Sequence, residues 1–127
     1  MLLRLATVLV MLASAGTAQA QAHTFKVIGQ AGVLGEWELA GDLPQAGSAG
    51  EYAGPLTMTH TGICTQDGPP KKAVEMRLKV DAKATRVDAT LLIDGVKCTY
   101  SGKKDDAFSG QLRCADRRDV PMLLWLR

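Results

Sequence analysis

The alternation of apolar and polar positions is most regular around residues 90–114, TLLIDGVKCTYSGKKDDAFSGQLRC. Asp94-Gly95 is a two-residue hairpin signal, because a type I′ turn needs positive φ at both central positions. That turn places Ile93 opposite Val96, Leu91 opposite Cys98 and Ala89 opposite Tyr100. Opposed residues share a face, so Val87, Ala89, Leu91, Ile93, Val96, Cys98 and Tyr100 form one apolar surface. Asp88, Thr90, Lys97, Thr99 and Ser101 point the other way, with Leu92 as the apolar exception. The polar stretch 101–106 predicts a second turn, after which Phe108, Gly110, Leu112 and Cys114 face inward.

Residues 73–80 carry the same period of two, with Val74, Met76, Leu78 and Val80 inward and Glu75, Arg77 and Lys79 outward. Residues 56–64, LTMTHTGIC, put Leu56, Met58, His60, Gly62 and Cys64 on one face and three threonines on the other, which suits a half-exposed strand. Residues 33–39 alternate as a strand with Trp37 inward. The Gly-, Pro- and Ser-containing stretch 40–54 predicts a long surface loop. Residues 120–127 are apolar on both faces, so this strand is either covered on both sides or shows one apolar face, with Leu123 and Trp125 outward, to a partner. Residues 23–29 predict either a first edge strand or an extended arm. Seven or eight short strands without helical periodicity indicate an all-β antiparallel meander. Closing it into an up-and-down barrel removes the exposed edges, with the last strand expected to return to the Trp37 strand.

The first 20 (or 22) residues have the form of a secretory signal peptide: basic Arg4, an apolar run over 5–12, then small residues with two A-x-A cleavage sites. The address is therefore periplasmic or secreted, and residues 23–127 form one domain of about 105 residues with no membrane span. The net charge of +2 falls further once Arg4 is removed. No basic stripe interleaves with aromatics, which argues against nucleic acid as a partner.

Three cysteines in an exported chain predict one disulfide. With the second turn at 101–106, Cys98 lies opposite Gly110 or Phe108, several residues from Cys114 and beyond the ~7 Å Cα separation a bridge tolerates. Cys64 and Cys114 each end a strand at the same barrel end, and their pairing is preferred, then Cys64–Cys98. The preferred bridge closes about 50 residues, worth roughly 3–4 kcal/mol in the loop-entropy model.

Candidate chemistry is sparse. No nucleophile has a base at readable spacing, no paired acids share a face, and no phosphate loop is present, so the chain does not read as an enzyme. Two histidines give no metal-ligand spacing, so no cofactor or metal is expected. Cleavage next to His23 would nonetheless offer an amine and an imidazole to copper, an alternative kept open.

Gly35-Glu36-Trp37 resembles the G-x-W of calycin barrels. At this length the chain is more similar to the small periplasmic metalloprotease inhibitors called Inh than to a typical lipocalin. The resemblance implies that Trp37 closes one barrel end with Arg127 packed on it. It also implies that an N-terminal arm enters a protease cleft; here His23, Thr24, Phe25 and Lys26 are the expected contacts, with Leu123 and Trp125 as an apolar patch. The cysteine spacing departs from that family. The expected function is a monomeric, non-enzymatic barrel that binds a protein partner, an exported protease in the most specific version. A structural envelope protein is the alternative.

Overall fold

The computed structural model describes residues 23–63 and 65–127. Residues 1–22, expected to contain a signal peptide, and Cys64 lie outside the described residues. The chain forms eight antiparallel strands: β1 (Thr24–Ala31), β2 (Trp37–Pro44), β3 (Glu51–His60), β4 (Lys71–Val80), β5 (Arg86–Ile93), β6 (Val96–Lys104), β7 (Phe108–Cys114) and β8 (Val120–Leu126). Each pairs with its sequence neighbour, and β8 pairs with β1 to close the barrel.

The alternation explains the closure. On β1, Val27, Gly29 and Ala31 are buried while Thr24, Lys26 and Gln30 are exposed, so this strand has a core face like the others. It pairs with β2 along its whole length, from Thr24↔Pro44 to Ala31↔Trp37. On its other side Val27↔Leu126 through Ala31↔Met122 join it to β8. Residues 23–28 are therefore a barrel strand and its lead-in, not an arm. The closing partner of the last strand is β1, not the Trp37 strand, because β2 already has both edges occupied by β1 and β3.

The interior is packed with aliphatic side chains. Leu39, Leu43, Met76, Leu78, Leu91, Ile93, Met122 and Leu124 are among the largest fully buried side chains, and no polar or charged described residue is buried. A small eight-stranded barrel is just wide enough for such a filling. Inward positions without bulk are used where a large neighbour needs room. Tyr100 lies across the paired Gly102 and Gly110, and a Cβ on Gly102 would sit 2.8 Å from the Tyr100 ring.

The stretch expected as a long loop over 40–54 is mostly strand. Leu39 and Leu43 are buried and Gly41 half-buried on β2, leaving residues 45–50 as the turn, with Gly47 and Gly50 at positive φ. Glycine and proline hid the period of two here. The β2–β3 ladder runs from Trp37↔His60 to Ala40↔Thr57 and resumes in the same register only at Gln45↔Tyr52. Pro44 and Pro55, which lack an amide hydrogen, occupy the gap.

The disulfide joins Cys98 and Cys114, which corrects the expected Cys64–Cys114 pair and the second choice, Cys64–Cys98. The cause is register. β6 runs on through Lys103 and Lys104, so Lys104 pairs with Phe108, Gly102 with Gly110 and Cys98 with Cys114. The turn shrinks to residues 105–107, closed by the Asp105 amide donating to the Ala107 carbonyl at 2.9 Å. The two bonded residues are direct cross-strand partners with Cα atoms 4.3 Å apart.

Candidate functional site

The turns joining β1–β2, β3–β4, β5–β6 and β7–β8 lie together at one end of the barrel, as the meander requires. The β1–β2 turn is the most exposed apolar feature of the described residues. Val33 is 80% exposed and Leu34 90%. Expected as the start of a strand, these residues instead cross a tight turn framed by Gly32 at φ +103° and Gly35 at φ +62°. Positive φ is a conformation that glycine adopts at little cost.

Several hydrogen bonds hold this turn. The Gly35 amide donates to the Gly32 carbonyl at 3.1 Å, and the Gly32 amide donates across to Pro121 at 3.0 Å. The Leu34 amide donates to Glu36 Oε2 at 3.0 Å. The Glu36 carbonyl accepts from the Thr61 amide at 2.8 Å and from the Thr61 hydroxyl at 3.1 Å. The turn is thus tied to the start of β8 on one side and to the β3–β4 loop on the other. Ile63, two residues beyond Thr61, is 46% exposed and adds a third apolar side chain to the same end. Glu36, an outward strand position by alternation, is the residue that locks the turn. Its signal in the sequence is the G-V-L-G frame with an acid directly after it.

Behind the turn, Trp37 pairs with His60 across β2 and β3, their rings edge-on with centroids 4.6 Å apart. Lys72 Nζ sits 5.0 Å from the centre of the Trp37 ring, a cation–π contact, and 3.8 Å from the Asp94 carboxylate. Lys72 occupies the place expected for Arg127. The Arg127 amide donates to the Lys26 carbonyl at 3.0 Å, and Lys26 lies five residues along β1 from the Ala31↔Trp37 pair. Arg127 is consequently at the opposite barrel end. Arg117 donates from Nε to Asp116 Oδ1 at 3.1 Å; that bond holds the Asp116 carboxyl below the usual range and raises the guanidinium of Arg117. Both residues lie in the exposed turn between β7 and β8 that follows Cys114.

The remaining expected contacts divide between two places. His23, Phe25 and Tyr52 form an aromatic cluster at the far mouth, with Phe25 and Tyr52 centroids 4.5 Å apart and His23 edge-on to Phe25 at 4.6 Å. Leu123 and Trp125 are half-buried on the outer wall. Trp125 pairs with Ile28 and Leu123 with Gln30, while Lys26 and Thr24 are exposed further along β1. The structure therefore brings Lys26, Ile28, Leu123 and Trp125 onto one face, and sets His23 and Phe25 apart from it. Among the described residues, no three His, Cys, Asp or Glu side chains converge as a metal site.

No family model, no curated protein and no solved structure matches this chain. Fold and geometry define its class as a small closed antiparallel barrel, compatible with the calycin-like barrels. Its most prominent surface feature is a locked apolar turn.

Proposed function

We propose that this chain is an exported, non-enzymatic binding barrel that engages a protein partner, in the most specific version an exported protease, through the turn at 32–36. The observation that carries the reading is the exposure of Val33 at 80% and Leu34 at 90% on a turn held from three sides. Two adjacent aliphatic side chains on a convex, rigid tip lose little freedom on entering an apolar pocket, which is the benefit of preorganisation. Burying each is worth about 1.5–3 kcal/mol. The Cys98–Cys114 bridge supports an oxidising compartment. His60 packs edge-on against Trp37, and His23 packs against Phe25 with its Nδ1 3.5 Å from the Tyr52 hydroxyl, so both rings take part in the packing of the wall. With residues 24–31 built into the wall, the turn takes the part that an arm plays in the Inh-type resemblance.

The test is a titration of purified exported metallo-, serine and cysteine proteases with the protein and with its Val33→Asp/Leu34→Asp double variant. Stoichiometric inhibition of at least one protease is expected. Placing charge in an apolar pocket should weaken it by about a hundredfold, since each 1.4 kcal/mol is tenfold. Inhibition that survives the double substitution would remove the turn from the function. No inhibition of any protease class would leave the structural envelope role in its place.

A further inference from the structure

A second surface, away from that turn, carries its own chemistry. The outer wall over β3–β7 is concave, a groove of ≈ 760 Å³. The registers align one row of outward residues across it: Ala53↔Arg77, Arg77↔Thr90, Thr90↔Thr99 and Thr99↔Arg113. Two arginines thereby flank two threonines on four adjacent strands, each about 4.8 Å from the next. The next row reads Lys79, Asp88, Ser101, Gln111, with Lys103 and Ser109 paired beyond it.

The charges in the groove do not cancel. Arg77, Lys79, Lys103 and Arg113 line it against Glu51 and Asp88. Asp88 is already engaged, accepting from the Ser101 hydroxyl at 2.5 Å and lying 4.0 Å from Arg86 Nε. The Glu51 carboxylate is turned toward Gly47 of the β2–β3 turn, where a Cβ would lie 3.1 Å from Oε2. Arg113 has a 3.5 Å contact with Asp119. Among the described residues, Arg77, Lys79 and Lys103 have no ion pair within 4.0 Å.

We infer that this groove binds an acidic polysaccharide, a chain of hydroxyl-rich sugars carrying spaced carboxylates. Guanidinium groups take carboxylates in bidentate fashion, and hydroxyls that both donate and accept match sugar hydroxyls. The groove is open and runs across several strands, which fits an extended chain rather than a compact ligand. A nucleic acid fits less well. Of the two aromatic residues lining the groove, Tyr100 is buried and Tyr52 packs against Phe25, which leaves no exposed row of rings for base stacking.

The test is calorimetric titration of the protein with an oligouronate of about six sugars, chosen to cross the strands of the groove. Neutral malto-oligosaccharide, inorganic sulfate and single-stranded oligonucleotide serve as comparisons, with amide chemical-shift mapping of the site. Saturable oligouronate binding that weakens with salt is expected, with shifts confined to Arg77, Thr90, Thr99 and Arg113 and their neighbours. Arg77→Ala and Arg113→Ala should each weaken it about tenfold or more, the worth of a charge-assisted pair. Both residues are outward, so the thermal midpoint should not move, and Arg77→Lys should rescue only part of the loss. Sulfate binding as tightly as the oligouronate would reduce the groove to a small-anion site and overturn the inference. Tighter binding of the oligonucleotide, equal binding of the neutral sugar, or no binding of the oligouronate by the wild-type protein would each overturn it as well.

Discussion

Tyr100 is the buried residue whose removal should be most informative. Its hydroxyl sits 3.0 Å from the Phe108 carbonyl and 3.1 Å from the Met122 carbonyl, so one proton is shared between β7 and β8. Its ring covers the Gly102–Gly110 pair from inside. Tyr100→Phe keeps the ring and deletes only the donor. A net hydrogen bond contributes about 0.5–1.5 kcal/mol, and leaving buried carbonyls short of a partner adds to that. The expected loss is about 1–2 kcal/mol at neutral pH, against about 3–5 kcal/mol for Tyr100→Ala, which would also leave a cavity. Burial pushes the phenol up to about 12. The unfolded chain ionises near pH 10, so this contribution is complete below about pH 10 and is lost as pH rises through about 12. Urea unfolding followed by tryptophan fluorescence, in a Cys64→Ser background that prevents thiol exchange, compares the two proteins at neutral and alkaline pH. The gap between wild type and Tyr100→Phe should close on the alkaline side. A neutral-pH loss under about 0.3 kcal/mol, or equal alkaline losses in both proteins, would refute the assigned burial and bonding.

Two further outcomes follow from the wall and its turns. Cys98→Ser/Cys114→Ser should lower the urea midpoint by the equivalent of about 3 kcal/mol, the loop-entropy value for residues 16 apart; peptide mapping of the wild type should recover a Cys98–Cys114 peptide, and one linking Cys64 to Cys114 would contradict the β6–β7 register. Asp81 accepts from the Thr85 and Arg86 amides at 2.7 and 3.1 Å and from the Thr85 hydroxyl at 2.8 Å. The Arg86 amide above all, with Thr85, holds its carboxyl below the usual value. Its contribution is therefore present above the ordinary carboxylate range and lost as pH falls through the lowered pKa, and Asp81→Ala should abolish that part of the acid sensitivity in the same unfolding assay.

The sequence made the barrel class legible because inward and outward positions survive most mistakes of register. The hairpin at Asp94-Gly95 forms with Ile93↔Val96, Leu91↔Cys98 and Ala89↔Tyr100 as its turn chemistry predicts. The next hairpin slipped, since a run of glycine, lysines and aspartates looks like a loop. On an exposed wall those same residues continue a strand, and Tyr100 covers the glycine from within. The slip was by an even number of residues, so every face stayed correct while the disulfide partner changed. The locked turn was harder to see. Val33 and Leu34 continue an alternating pattern, and only the positive φ at Gly32 and Gly35, fixed by Glu36 and Thr61, takes them out of the strand. The groove depends on registers across four strand pairs, which no local pattern contains.

Because β1 is part of the wall, the turn at 32–36, rather than an arm, is left to meet a partner. Native-state amide hydrogen exchange measures this directly. The Lys26 amide donates to the Arg127 carbonyl at 2.8 Å and the Gly32 amide to Pro121 at 3.0 Å, bracketing the strand. Amides from Lys26 to Gly32 should be protected to within about tenfold of those in β5 and β6, as expected for one cooperative unit. Exchange of residues 24–31 at the rate of unstructured chain, with β5 and β6 still protected, would show an arm and contradict the closed barrel.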